Sequence, residues 1–100
     1  MKYNKLVRDK IPEYILSKGG VPLTHIAAEE EYWQKLKDKL LEEVMEFQKD
    51  ENMEEYADIL EVLEAISDYK KFDNNEIKKI KNNKVKERGA FKKWVILDES

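Results

Sequence analysis

Cysteine is absent from this 100-residue chain, and glycine and proline are scarce, with three and two residues. Without cysteine the chain forms no disulfide and offers no thiolate as nucleophile or metal ligand. Because few residues interrupt regular structure, we expect long, unbroken secondary-structure elements.

Long hydrophobic runs are also missing. No apolar stretch approaches the roughly 20 residues that a membrane-spanning helix requires, and Met1–Lys5 lacks the apolar segment of a signal peptide. The net charge is −3 and the lysines are spread along the chain, which argues against a nucleic-acid surface. We therefore expect a soluble cytoplasmic protein with neither membrane nor nucleic acid as partner.

Charged and hydrophobic residues are both abundant, at 41% each. This balance is typical of a folded, charge-rich helical protein, and the length fits a single domain over residues 1–100 with a modest core. Small helical hairpin proteins often complete their core by association. We predict an all-α bundle of about four helices, built on a helical hairpin and completed as a homodimer or homotetramer.

Apolar periodicity and capping residues predict where the helices lie. Two long helices form the hairpin, with apolar stripes at Trp33, Leu36, Leu40, Val44 and Phe47 and at Tyr56, Ile59, Leu60, Leu63 and Ile66. We expect a short helix within 4–18 that breaks or starts near Pro12, followed by a connector over 21–28. Three further helices are expected from Glu30 to Lys49, from Asn52 to about Tyr69 and from about Asn75 to Arg88. The tail over 91–97 is expected to pack as an extended segment.

The two tryptophans and the single histidine are further candidates for the core or for a site. Trp33 and Trp94 are predicted to lie in the core, although either could stack on a nucleotide base. His25, alone in a connector, is expected to be a surface or packing residue and not a ligand or base.

Four carboxylates are the most informative residues. Glu43 and Glu46 are three residues apart, as are Glu55 and Asp58, so each pair lies on one helix face. The two pairs are placed symmetrically about residues 50–52, and a chain reversal there sets Glu43 opposite Asp58 and Glu46 opposite Glu55. Four convergent carboxylates are typical of a divalent-cation site, with Mg²⁺ as the first candidate and Mn²⁺ as the second.

At about 100° per residue, the four carboxylates lie on or beside the apolar stripes, where an unpaired charge is costly. Simpler explanations exist for individual carboxylates. Glu55 could instead complete a helix capping box with Asn52, and Glu43 and Glu46 could pair with Lys39 or Lys49 on an exposed face. The matched spacing favours the metal site when the four carboxylates are considered together, but the simpler explanation is favoured for any one of them alone.

Basic residues supply candidates for phosphate binding. Lys84 and Arg88 extend the apolar stripe of Ile77 and Ile80, so we expect them to turn inward, where they suit phosphate oxygens. The alternative is that they lie exposed at a helix end and interact with its dipole. A second charged group lies near the start of the chain and comprises Lys5, Arg8, Asp9 and Lys10. These residues could likewise be solvated on the surface.

Two segments resemble the EExxE…ExxD motif of the all-α nucleoside triphosphate pyrophosphatases: Leu41–Phe47, LEEVMEF, and Glu55–Leu60, EYADIL. That superfamily includes MazG-like enzymes, dimeric dUTPases, dCTP pyrophosphatases and phosphoribosyl-ATP pyrophosphohydrolases. The segment KLVRDKIP at 5–12 and the segment from Lys84 to Phe91, with ERGAF at its end, resemble a small phosphoribosyl-ATP pyrophosphohydrolase-like branch. Together the resemblances cover the chain nearly end to end.

The resemblance implies a dimeric or tetrameric helical bundle that hydrolyses a nucleoside triphosphate to monophosphate and pyrophosphate with Mg²⁺. The implied roles are metal binding by Glu43, Glu46, Glu55 and Asp58, an auxiliary catalytic carboxylate at Glu42, and phosphate binding by Lys84 and Arg88, with Arg8 and Lys10 as further candidates. Only eight residues separate Glu46 from Glu55, so the hairpin is tight and has no insertion that would form a base-specific lid.

Three functions remain open at this point. The first is a house-cleaning nucleoside triphosphate pyrophosphohydrolase, and the second applies the same chemistry to phosphoribosyl-ATP in histidine biosynthesis. The third is a non-enzymatic helical interaction module whose acidic residues only aid solubility. The sequence contains no Ser/His or Cys/His nucleophile set and no phosphate-binding P-loop, so a metal and cations would have to recognise the phosphates.

Overall fold

The computed structural model describes residues 3–100 and contains four helices: α1 Ile11–Ser17, α2 Glu29–Asp50, α3 Met53–Lys70 and α4 Asn74–Arg88. No β-strand occurs among those residues. The all-α prediction is confirmed, as are the long helical hairpin and the number of helices. Within the same residues, no helix is both long and apolar enough to cross a bilayer.

Helix boundaries follow the local chemistry of the sequence. Pro12 lies in the first turn of α1, where its missing N–H costs no hydrogen bond. Asn52 caps α3 by accepting a hydrogen bond from the backbone N–H of Glu55, and Asp73 caps α4 through the backbone N–H groups of Asn75 and Glu76. The predicted start of α4 at about Asn75 was therefore late by one residue.

The α2–α3 hairpin is the central packing unit of the described chain. Glu51 and Asn52 alone connect the two helices, and Glu51 adopts a left-handed conformation with φ 45°. Aromatic contacts fix the antiparallel register: Trp33 stacks on Tyr69 at 5.1 Å between ring centroids at one end, and Phe47 meets Tyr56 at 6.2 Å at the other.

The core of a single chain is small. Among the described residues, Leu36 and Val62 are the buried apolar side chains, with 1% and 8% of their surface exposed. The stripe predicted for α2 includes the buried Leu36. The stripe predicted for α3 does not include Val62, which is the buried residue of that helix. The stripe predicted for α3 was wrong in part, because Tyr56, Leu60 and Leu63 are each at least 44% exposed.

The segment after α4 does not pack on the rest of the described chain. Phe91 is fully exposed, and Trp94 is 90% exposed. The predictions that the tail packs and that Trp94 lies in the core were therefore wrong for one chain. Trp33 is half-buried between α2 and α3, as its stacking on Tyr69 requires. The helix before the tail, α4, has few apolar residues to anchor either element, and two of them, Ile80 and Val85, are half-exposed.

Candidate metal and phosphate site

The register of the hairpin brings carboxylates from both helices together. Glu43 of α2 lies with Glu55 and Asp58 of α3, and one carboxylate oxygen from each lies within 4.8 Å of the others. All three residues are partly buried, and the side chain of Glu43 is only 12% exposed. Oxygen ligands around one Mg²⁺ ion at about 2.1 Å from it lie roughly 3 to 4 Å apart, so small side-chain rotations would complete such a site.

A second group of carboxylates overlaps the first. Glu46, Asp50 and Glu55 satisfy the same 4.8 Å separation, and Glu55 belongs to both groups. The structure thus brings the four predicted carboxylates together as two overlapping sets, and it adds Asp50. The sequence analysis missed Asp50, although its position four residues after Glu46 on the same helix face was a usable signal.

Glu55 is the electrostatic centre of this acidic group. Partial burial raises its pKa, and repulsion from Asp58, Glu46, Asp50 and Glu43 raises it further. Glu55 lies in the first turn of α3, where the helix dipole favours the charged form, but burial and repulsion together still raise the pKa. Among the ion pairs of residues 3–100, none neutralises Glu55. A bound cation would relieve this repulsion.

The capping explanation for Glu55 accounts for its backbone only. The Glu55 N–H donates to the Asn52 side chain at 2.9 Å, as in half of a capping box. The reciprocal bond, from the Asn52 N–H to the Glu55 carboxylate, is not among the hydrogen bonds of the described residues. The side chain therefore remains available to the acidic group.

Basic side chains surround the carboxylates from two sides. Arg8 donates from Nη2 to Asp58 Oδ1 at 2.8 Å. Lys39 lies 3.4 Å from Glu43 and 3.6 Å from Glu42. The predicted Lys39–Glu43 pair therefore exists, but it is not on an exposed face, since Lys39 is only 17% exposed.

Lys5 was not predicted as a site residue. Its ammonium group donates to Glu42 Oε1 at 2.9 Å, and this hydrogen bond lowers the pKa of Glu42 and raises the pKa of Lys5. Lys5 and Arg8 together tie the segment before α1 across the hairpin. Their contacts could not be read from sequence spacing, because 37 and 50 residues separate the partners.

A cleft of about 520 Å³ lies between the segment before α1 and the hairpin. Its lining combines apolar side chains with cations and carboxylates. The side chains that line it include Arg8, Lys39, Glu43 and Asp58 together with the two core residues Leu36 and Val62. The cleft therefore combines cation-binding and anion-binding groups within one concave surface.

Other predicted site residues lie outside this cleft. Lys84 and Arg88 are exposed on α4, so the expectation that they turn inward was wrong within one chain. Lys10 is exposed at the N-terminal end of α1 and has no ion pair among the described residues. His25 is exposed in the connector, as predicted, with Nε2 at 3.0 Å from Glu31 Oε1.

Comparisons with known proteins add little beyond the geometry. No protein-family model matches the chain, and no solved structure matches it. The chain is similar to an uncharacterized protein of Mycolicibacterium smegmatis, with 48% identity over 42 residues. The match covers 42% of this chain and 43% of the relative, so the chain spans less than half of the length of the curated relative it matches.

Proposed function

We propose that the protein is a Mg²⁺-dependent nucleoside triphosphate pyrophosphohydrolase. The observation that carries this proposal is the convergence of Glu43, Glu55 and Asp58 within 4.8 Å. Carboxylates grouped so closely repel one another unless a cation is bound, and hard oxygen ligands favour Mg²⁺ or Mn²⁺. The sequence resemblance to the pyrophosphatase motif involves the same three residues.

The cleft suits a polyphosphate substrate together with Glu46 and Glu55, which do not line it but lie beside the cleft residues Glu43 and Asp58. Glu43, Glu55 and Asp58 would hold a divalent cation, with Glu46 as a further ligand from the overlapping group. When bound, the cation supplies charge neutralisation for the phosphate oxygens. Once released from Asp58, Arg8 would bind phosphate oxygens through two N–H groups, and Lys39 would add a point charge beside them.

In the proposed reaction, a water oxygen attacks the α-phosphorus, and the bond from that phosphorus to the oxygen that bridges it to the β-phosphate breaks. The proton of the water goes to a carboxylate of the acidic group, and pyrophosphate leaves. A carboxylate that the cation leaves free is the group able to take this proton. Glu42, held by Lys5 and Lys39, would keep those cations in place beside the acidic group.

The direct test is a pyrophosphate-release screen over standard and modified nucleoside triphosphates, with and without Mg²⁺. Phosphoribosyl-ATP belongs in the same screen, because its hydrolysis would assign the protein to histidine biosynthesis. Glu43→Gln and Asp58→Asn should each lower kcat at least 100-fold, about 2.7 kcal/mol in activation free energy. Glu64→Gln on the outer side of α3 is the matched control and should retain activity. Inactivity on every substrate would reject the proposal.

The metal site can be tested without any substrate. A ligand present at ten times its Kd stabilises a protein by about 1.4 kcal/mol, which corresponds to several degrees in Tm for a chain of this size. Millimolar Mg²⁺ should therefore raise the Tm of the wild type and of Glu64→Gln, but not that of Glu43→Ala or Asp58→Ala. An equal shift in all four proteins would contradict specific binding.

A helical interaction module is the second candidate function, and the extent of exposed apolar surface favours it. Tyr56, Leu60 and Leu63 are each at least 44% exposed on one side of α3. If the protein has no Mg²⁺-linked change in Tm and no nucleotide hydrolysis, this reading replaces the enzymatic one.

A further inference from the structure

The cleft between the segment before α1 and the hairpin changes in chemistry along its length. Its lining residues on α2 recur at intervals of three and four and therefore share one face of the helix: Tyr32, Leu36, Lys39 and Glu43. The end of this stripe at Glu43 is charged, and the end at Tyr32 is aromatic and apolar. The cleft thus has a charged end and an apolar end.

Helix α3 lines the cleft in the same order. Asp58 meets Glu43 in the acidic group, and Tyr69 stacks on Trp33 toward the other end of the hairpin. The lining residues of α3 also share one face: Asp58, Glu61, Val62 and Ala65. At a rise of 1.5 Å per residue, Glu61 lies about 4.5 Å along α3 from Asp58, and Ala65 lies about 10 Å from it.

The segment before α1 contributes apolar side chains to the same cleft, namely Leu6, Val7 and Ile11. Leu6 and Ile11 are half-buried. The volume of about 520 Å³ lies within the range of roughly 300 to 1,000 Å³ that small-molecule sites occupy in proteins. The cleft therefore has room for more of a ligand than its phosphates.

Glu61 lies between the two ends and takes no part in the acidic group. Its carboxylate belongs to neither set of convergent carboxylates, and none of the ion pairs of residues 3–100 involves it. An ionised carboxylate can only accept hydrogen bonds, so it does not bind phosphate oxygens. A ligand that extends along the cleft from the acidic group must present a hydrogen-bond donor to Glu61.

We infer that Glu61 accepts a hydrogen bond from the 2′-hydroxyl of a ribose, so that the substrate is a ribonucleoside triphosphate and not its 2′-deoxy counterpart. In a nucleotide, the sugar follows the α-phosphate and the base follows the sugar. With the phosphates beside Asp58, the sugar lies one helical turn further along α3, at Glu61, and the base packs against Val62 and Ala65. This assignment rests on the proposed function, which puts the phosphates at the acidic group.

The chemistry of Glu61 fits a sugar better than the other parts of a nucleotide. The 2′- and 3′-hydroxyls are adjacent donors, and hydrogen bonds from hydroxyl groups to a carboxylate are short and strong. The base would lie beyond Glu61, where the hairpin lines the cleft with the apolar residues Leu36 and Ala65. Glu61 thus selects the sugar, while the apolar end accepts the base by packing alone.

Calorimetric titration of the wild type with Mg²⁺ present tests the assignment without requiring hydrolysis. The probes are the α,β-methylene analogues of ATP, GTP, CTP and UTP, which resist cleavage at that bond, and their 2′-deoxy counterparts. The tightest ribonucleotide should bind roughly tenfold or more tightly than its 2′-deoxy counterpart, as expected for one hydrogen bond to a charged group. Equal Kd values would overturn the assignment, and this comparison needs no variant.

Variants show whether Glu61 is the residue responsible. Glu61→Ala should remove the difference between the two sugars, and Glu61→Gln should retain part of it, because the amide oxygen still accepts a hydrogen bond. Asp9→Asn removes the same charge from another residue that lines the cleft, so it should change both affinities alike. Glu64→Gln should match the wild type. Full discrimination in Glu61→Ala, or its loss in Asp9→Asn, would assign the sugar contact elsewhere and overturn the proposal.

Inorganic tripolyphosphate separates this assignment from the proposed function. If it binds with Mg²⁺ as tightly as the nucleotides do, the site holds phosphates alone, and the ribose contact is rejected while the phosphate site stands. If neither tripolyphosphate nor any nucleotide binds, the proposed function fails and the ribose contact fails with it.

Discussion

Arg8 reaches the acidic group from 50 residues away: its Nη2 atom lies 2.8 Å from Oδ1 of Asp58. Asp58 is also one of the three carboxylates proposed to bind a divalent cation. A metal ion bound there would therefore compete with the Arg8 guanidinium for the same carboxylate when no nucleotide is present. With a nucleotide bound, the same guanidinium would be free to bind phosphate oxygens.

Arg8→Gln should strengthen Mg²⁺ binding in the absence of nucleotide. Removing a unit charge at about 4 Å from a divalent cation in a solvated environment changes the binding free energy by roughly 2 kcal/mol, or about 30-fold in Kd. The same variant should weaken the use of nucleotide, because a phosphate-binding group is lost. Isothermal titration calorimetry with Mg²⁺ and steady-state kinetics with nucleotide measure the two effects.

Lys5→Gln is the control for Arg8→Gln, because it removes the same charge from a residue that pairs with Glu42 and not with Asp58. Its effect on Mg²⁺ affinity should be clearly smaller. Equal effects of the two variants would mean that only the net charge near the cleft matters, which contradicts direct competition at Asp58.

Glu55→Gln should stabilise the protein in the absence of a divalent cation. Because the pKa of Glu55 is raised above 4.5 in the folded state, the fold holds this proton more tightly than the unfolded chain does. Stability is then lost as the pH rises from about 4.5 through the folded pKa, and the neutral glutamine avoids that loss. The Tm of Glu55→Gln should thus exceed the wild-type Tm at pH 7 and equal it near pH 4.

Added Mg²⁺ should reverse that order. A cation bound by the wild-type carboxylates should raise the Tm of the wild-type protein. Glu55→Gln lacks one ligand, so its Tm should rise less. Glu64→Gln, on the outer side of the same helix, should behave like the wild type at both pH values. A wild-type Tm above that of Glu55→Gln at pH 7 without Mg²⁺ would show that repulsion at Glu55 is not dominant.

The sequence was sufficient to predict features that depend on local spacing. Asn52 ends the turn and caps α3, so the symmetric placement of Glu43 and Asp58 about that turn translated directly into proximity. Long-range contacts are a different matter. Nothing in the spacing indicates that Arg8 meets Asp58, because that contact depends on how the segment before α1 crosses the hairpin. Trp94 was predicted to lie in the core and is exposed, because an apolar side chain packs only where a complementary surface is available.

Lys84 tests whether α4 takes part in the reaction. The side chain is exposed in one chain and does not line the cleft, so a role in phosphate binding requires α4 to approach the acidic group of its own chain or of another copy. If it does so, Lys84→Ala should raise KM roughly tenfold, about 1.4 kcal/mol, without changing the Mg²⁺-linked shift in Tm. Lys86→Ala, on nearly the opposite side of α4, is the control. Equal kinetics for both variants and the wild type would exclude Lys84 from the site.

Leu36→Ala should cost more stability than any other single truncation in α2. Leu36 is 1% exposed at the centre of the hairpin, and replacing a buried leucine by alanine costs about 3 kcal/mol through lost apolar contacts and the cavity that remains. That is a large share of the total for a domain with so small a core. Urea denaturation should show a lower midpoint for Leu36→Ala, whereas Leu23→Ala, fully exposed in the connector, should change the free energy of unfolding by less than about 0.5 kcal/mol. A similar, small effect of both variants would mean that the hairpin is not packed as described, and the carboxylates it aligns would lose their scaffold.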